Sequence, residues 1–195
     1  ALMDAYCAHL QQVIRTGAAG GSTGAPDDAA AKKAEEKPLE GMKIVVDAGN
    51  GSGGFFAEKV LAPLGADMSG SQFLEPDGMF PNHAPNPENR KAMESISSQV
   101  IKTGADLGLI FDTDVDRSSA VDEQGREIAR NSIVAMAAAL VSEDHPGTTV
   151  VTDSITSRQL TEFLENNLGL NHLRYKRGYK NVINKAIELN RAGTD

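Results

Sequence analysis

Apolar residues in this chain recur first at helical and then at strand spacing. Leu2, Met3, Tyr6, Leu10, Val13 and Ile14 lie on one face of a predicted amphipathic helix over 1–15, and no neighbouring sequence is apolar enough to cover that face. From Thr16 to Pro38, "TGAAGGSTGAPDDAAAKKAEEKP" holds no side chain more apolar than alanine, which predicts a linker or insertion with nothing to bury. Beyond it the pattern alternates. "MKIVVDAG" reads as a buried strand ending near Asp47, and "FFAEKVLAPLGA" as a helix closed by Gly65. A turn at Glu75–Gly78 and the proline-rich loop "FPNHAPNPEN" lead to a helix over Glu88–Thr103. "ADLGLIF" is a strand, "SSAVDEQGREI" has the alternation and central Gly of a hairpin, and "SIVAMAAALVSE" is a helix with Asn131 as its N-cap. "TTVVTD" and "HLRYK" are strands. "SRQLTEFLENNLG" is a helix with Leu160, Phe163, Leu164 and Leu168 on one face, and "GYKNVINKAIELN" is the last helix.

Strands alternating with helices predict an α/β fold: a layered, mostly parallel sheet with helices on its faces, and a short antiparallel hairpin after residue 117. Ligands of such sheets gather at the carboxyl ends of strands. Two unusual segments fall there, the glycine-rich turn after Asp47 and the stretch "FDTDVDR" from Phe111 to Arg117.

Composition narrows the function classes. A formal net charge of −8 disfavours a broad nucleic-acid surface, which needs cations against phosphate, yet leaves room for a small phosphorylated ligand in a local cationic pocket. With one cysteine, Cys7, no intrachain disulfide can form, and a reducing compartment is expected, the cytoplasm or alternatively a plastid. No stretch has the length of a membrane-spanning helix, and no basic segment followed by an apolar core opens the chain, so neither a membrane role nor a signal peptide is expected. His9, His83, His145 and His172 are scattered without metal-ligand spacing.

Asp112, Asp114 and Asp116 carry the most chemistry. Three ionised carboxylates at the end of a buried strand repel one another unless a cation joins them, and Mg²⁺ prefers such oxygen donors. In an extended strand alternate side chains stand roughly 6.5 Å apart, too far for ligands at about 2.1 Å from one ion. The chain must therefore curl at Thr113–Val115. Three carboxylates with one divalent ion still leave negative charge, so a phosphate ligand needs added cations; Arg117 is adjacent, and Arg174, Lys176, Arg177 and Lys180 form a further basic run.

Rival readings exist. Asp112, Asp114, Asp116 and Glu123 fit EF-hand loop positions, but Arg117 stands where the loop needs glycine and a strand precedes it. A haloacid-dehalogenase-type phosphatase also places Asp-x-Asp after an apolar strand, with Asp112 as nucleophile and Asp114 as acid; no paired aspartates follow downstream. A solvated acidic turn is the plainest alternative. "GNGSGG" at Gly49–Gly54 fits the dinucleotide pattern G-x-G-x-x-G, but no acidic residue closes the next segment, and a tight strand-to-helix turn is the preferred reading. His83, alone in its loop, is assigned packing or capping and no catalytic role.

Taken together, "FDTDVDRSSAVDEQG" resembles the magnesium loop of the phosphoglucomutase/phosphomannomutase (α-D-phosphohexomutase) family, whose usual form is DGDGDR. "IVVDAGNGSGG" and "GMFPNHAPNPEN" are similar to two landmarks of its second domain, and "YKRGYKNVI" to the entrance of its third. The resemblance implies an enzyme that moves a phosphoryl group between C1 and C6 of a hexose phosphate through a phosphoserine and a bisphosphorylated sugar. It implies Asp112, Asp114 and Asp116 as Mg²⁺ ligands, Arg117 as the catalytic arginine, and Lys176 as a substrate-binding residue. Thr113 and Val115 depart from the small residues usual in the loop, and Ala84 from a second histidine. No segment resembles the family's serine, sugar-recognition or phosphate-binding loops. The expectation is thus an internal piece of a mutase: 1–15 closing a first domain, 16–38 a linker, 39–170 the metal-binding domain and 171–195 the start of a third. Its partners would be the hexose phosphate and the remaining mutase domains, and alone it would be inactive. The competing expectation is a non-catalytic metal- or phosphosugar-binding module.

Overall fold

A computed structural model describes residues 2–19 and 36–193. The chain forms two compact units, Ala1–Glu127 and Ile128–Asp195, dividing within the stretch that the sequence reads as one domain.

In the first unit, β1 (Ile44–Asp47) and β2 (Leu107–Phe111) run parallel, and β3 (Ser118–Asp122) returns antiparallel to β2 in a three-stranded sheet of order β1-β2-β3. Alternation sorts the strand residues onto two faces. Val45, Ile110 and Val121 pack with Ala92, Ile96 and Val100 of α3 (Arg90–Thr103). Ile44, Val46 and Phe111 point the other way, onto Ala57 and Leu61 of α2 (52–64). Both faces are covered, which is why these strands are nearly continuous apolar runs. α2 is irregular: a 3-10 turn at Ser52–Gly54, a π-helical stretch at Ala57–Leu61 and a 3-10 turn at Ala62–Leu64 that ends at Gly65. α3 starts two residues later than expected, because the Asn89 side chain caps it by accepting from the N–H groups of Lys91 and Ala92.

α1 (Leu2–Ala19) belongs to this unit. It buries Cys7 and sets Ile14 against the α2-side core, while Gln11 Nε2 donates to the Lys59 carbonyl at 2.8 Å. Leu2, Met3, Tyr6 and Val13 stay exposed, as the lack of a covering sequence implied. The helix runs through Ala19, into the expected linker; the rest of that linker up to residue 35 lies outside the described residues.

The second unit holds β4 (Thr149–Asp153) and β5 (Asn171–Tyr175), paired in parallel. α4 (Arg130–Asp144) and α5 (158–167) share a core of Ala138, Leu160, Leu164 and Leu170, with Phe163 and Leu168 beside it, and α6 (Tyr179–Ala192) completes the unit. The expected cap of α4 is corrected: Ala129 precedes the helix without a side-chain bond, and Asn131 lies inside the first turn.

Two small sheets therefore stand where one mostly parallel sheet was expected. The antiparallel pairing straddles the acidic loop, since that loop reverses the chain; the turn after β3 adds a single bridge between Val121 and Glu127. Among the described residues no helix is long and apolar enough to cross a membrane.

Gly108 sets how closely α3 approaches the sheet. A Cβ there would fall 2.5 Å from Val121 Cγ2, 2.6 Å from Val100 Cγ2 and 2.9 Å from Ile96 Cγ1. Three buried side chains cannot all give way in a close-packed core. Gly108→Ala is expected to destabilise the first unit by about 1–3 kcal/mol, read as a lowered urea midpoint at unchanged m-value; a midpoint equal to the parent's would contradict this packing.

Candidate metal centre

Phe111 pairs with Ser118, so the six residues between them must reverse the chain. The reversal is held at its neck, where Asp112 N–H donates to the Arg117 carbonyl at 3.1 Å and Arg117 N–H donates to Asp112 Oδ1 at 3.1 Å. Val115 sits at φ 66°, a left-handed conformation that costs a β-branched residue on the order of 1–3 kcal/mol. This is the curl that the sequence required if the three aspartates were to meet, and it is made with a branched residue at its tip.

The glycine-rich turn supports the curl from the side. Ser52 donates both its backbone N–H and its Oγ–H to the Thr113 carbonyl, each at 2.9 Å. A Cβ on Gly51 would meet that same carbonyl oxygen at 2.9 Å. The glycines thus serve close packing of turn against loop, as the strand-to-helix reading expected.

Carboxylate oxygens of Asp112, Asp114 and Asp116 lie within 4.8 Å of one another, Asp112 buried and the other two exposed. Opposite ligands of one Mg²⁺ span about 4.2 Å and adjacent ones about 3.0 Å, so the three carboxylates would have to draw closer together to share one hard cation. Their protonation equilibria report the crowding. Burial works to raise Asp112, but the Arg117 backbone N–H, a hydrogen bond from Asp116 and the Arg117 guanidinium together hold its carboxyl below the ordinary range. Asp116 is pushed up, first by its hydrogen bond to Asp112 and then by the charge of Asp114. The crowding of like charge that raises Asp116 is what a nearby cation would relieve.

Arg117 is the resident cation. Its Nε donates to Asp112 Oδ2 at 2.9 Å and lies 3.5 Å from Asp116 Oδ1; its Nη1 donates to Asn86 Oδ1 at 3.3 Å. Asp112, Asp114, Asp116 and Arg117 therefore converge. Lys176 lies in the second unit just after β5, with Nζ 5.5 Å from the centroid of the Tyr175 ring.

Sequence reasoning missed what holds the site's floor. Asp47, fully buried at the end of β1, accepts from Gly49 N–H at 2.9 Å, Gln72 Nε2 at 2.8 Å and Ser95 Oγ at 3.2 Å. His83 Nε2 stands 3.0 Å from both Asp47 oxygens, and its Nδ1 3.0 Å from the Ala84 carbonyl. Both ring nitrogens thus face groups that only accept, which calls for the imidazolium. The signal was present in "IVVD", a charge at the end of a strand whose every residue is buried, though nothing in it named His83 as the partner.

A family model described as phosphoglucomutase/phosphomannomutase, alpha/beta/alpha domain II, matches residues 27–125. A phosphomannomutase/phosphoglucomutase of Pseudomonas syringae pv. tomato is 36% identical over 128 residues, covering 66% of this chain and 27% of that protein. A phosphomannomutase of Salmonella typhimurium is 37% identical over 119 residues, 59% of this chain and 26% of its own. Among solved structures, a phosphoglucomutase/phosphomannomutase family protein of Burkholderia thailandensis superposes with a TM-score of 0.70 at 31% identity, over 78% of this chain and 32% of that one. An N-acetylphosphoglucosamine mutase of Aspergillus fumigatus, solved with GlcNAc-6P and magnesium, shares the fold at a TM-score of 0.51 and 19% identity, over 82% and 33% of the two chains. The chain spans under a third of the length of the curated relatives it matches.

The Asp47–His83 pair makes the first unit's stability depend on pH. Its hydrogen bond to Asp47 raises His83 above its ordinary 6.5, against burial, with the Ala84 carbonyl adding to the rise. A raised histidine contributes fully below that ordinary value, and the contribution is lost as pH climbs through the folded-state value. Urea unfolding of the wild type should therefore weaken from pH 6 toward pH 9, and His83→Phe should flatten that slope. Equal slopes in the two proteins would show that the pair carries no linked proton.

Proposed function

Because the chain belongs to the phosphoglucomutase/phosphomannomutase family, we propose that it supplies the metal loop of a phosphohexomutase active site. The observation that carries this reading is the convergence of Asp112, Asp114 and Asp116 beside Arg117 on a loop held from both sides. The donor set fits magnesium, all hard oxygens with open positions left for water or phosphate. When bound, the ion would neutralise charge on a transferring phosphoryl group. Asp112, Asp114 and Asp116 would hold it, and Arg117 would present guanidinium N–H groups to phosphate oxygens.

The substrate would be a hexose phosphate exchanging its phosphoryl group between C1 and C6, with a phosphoserine from outside these 195 residues as donor and acceptor. The division of the chain into a closing helix, a linker, a metal-binding domain and the start of a third domain belongs to this reading. So does Lys176 as a substrate contact, with further mutase domains as partners. The buried Cys7 suits a reducing compartment such as the cytoplasm.

Mn²⁺ titration followed by electron paramagnetic resonance tests the metal role. The chain should bind one ion at this loop, and Asp112→Asn should weaken it by about tenfold or more, the scale seen even for supporting groups of metal sites. The same preparation should not interconvert glucose 1-phosphate and glucose 6-phosphate alone. Undiminished Mn²⁺ affinity in Asp112→Asn would remove the metal role, and turnover by the isolated chain would remove the need for an external serine.

A further inference from the structure

The proline-rich loop at Phe80–Pro87 has no part in the chemistry above, yet one of its side chains touches Arg117. Asn86 stands between Pro85 and Pro87, both buried, with ring-fixed φ on either side and its own backbone restricted by the proline that follows. Its N–H donates to the Ala84 carbonyl at 2.8 Å, and its carbonyl accepts from Asn89 N–H at 2.8 Å. Its side-chain Oδ1 accepts from Glu88 N–H at 2.9 Å, which orients the amide, and from Arg117 Nη1 at 3.3 Å. Three residues earlier, His83 anchors the loop to buried Asp47, and Asn82 Nδ2 donates to Asn50 Oδ1 at 2.7 Å. The loop is a platform that, among the described residues, offers the Asn86 amide oxygen to the metal loop as an acceptor.

Arg117 is half exposed, and the bond from Nε to Asp112 alone would leave its planar fork free to rotate about that contact. A second bond, from Nη1 to Asn86, fixes the plane. Of five guanidinium N–H groups two are engaged, and among the described residues the others take no acceptor. They form a fork of fixed direction suited to two oxygens of one anion.

We propose that Asn86 is a positioning residue, which through its fixed amide oxygen aims the Arg117 guanidinium at the phosphate bound beside the metal loop. The aiming rests on geometry; its use rests on the mutase reading above.

The two are tested separately on the full chain. The Arg117 Nε–H resonance, assigned by its loss in Arg117→Lys, reports the hold on the guanidinium. In Asn86→Ala its exchange with water should quicken about three- to tenfold, the range expected for losing one charged hydrogen bond near the surface. Asn86→Asp keeps the acceptor and adds charge, and should slow the exchange below the wild-type rate. Equal rates in wild type and Asn86→Ala, or Asn86→Asp exchanging as fast as Asn86→Ala, would overturn the positioning role. Should Asn86→Ala not fold, Asn86→Asp decides alone: slower exchange supports the role and unchanged exchange refutes it. Inorganic phosphate titrated onto the Mg²⁺-loaded chain should bind Asn86→Ala about three- to tenfold more weakly than wild type. Equal phosphate affinity with a loosened arginine would refute the use of the aim. Phosphate that fails to bind wild type, with the arginine pattern intact, would strike the mutase reading and leave the positioning standing.

Discussion

A carboxylate shut off from water must have its oxygens answered from within, since an unpaired buried charge costs several kcal/mol. Asp47 is answered by the first turn after β1, by Gln72 from the segment beyond α2, by Ser95 on α3 and by His83 from the proline-rich loop. The turn that follows the strand and three stretches 25 to 48 residues away are thereby tied to one strand end. Two of them touch the acidic loop: the glycine-rich turn through Ser52, and the proline-rich loop through Asn86. What surrounds Asp112 is therefore set largely by a residue that takes no part in the chemistry.

Charge is managed differently at the two strand ends. β1 and β2 lie side by side in parallel and each leads to a buried aspartate. At Asp47 the countercharge is internal and the oxygens are taken by hydrogen bonds. At Asp112 the internal countercharge, Arg117, is half exposed, and two more carboxylates face solvent beside it. The first arrangement suits a structural tie. The second leaves a surplus of negative charge at a surface, which is what a soluble cation can use.

The fold was legible wherever burial imposed a period. β1, β2, β4, β5 and the helices after them follow runs whose apolar spacing leaves little choice, and Leu160, Phe163, Leu164 and Leu168 fall on one buried face as their spacing required. Sheet pairing was not legible, because the return of β3 beside β2 depends on a loop reversal enforced by hydrogen bonds and not by composition. The acidic residues were readable because three like charges after an apolar strand need a physical reason. Their supports, Asp47, His83, Asn86 and Ser52, were not, since each works through a partner 31 to 61 residues away. The N-cap at Asn131 failed for a local reason: the helix began two residues earlier than the polar residue suggested.

Val115 has one more consequence. Its backbone occupies a region that an isolated peptide of this sequence would rarely visit, so "DTDVD" excised from the protein should not gather its carboxylates. The gathering exists only while the surrounding unit is folded, which makes it a thermodynamic sensor of that unit. Any solute that prefers the gathered state shifts the folding equilibrium by its own occupancy, so on the metal reading proposed above the melting temperature of the first unit would rise with divalent ion concentration.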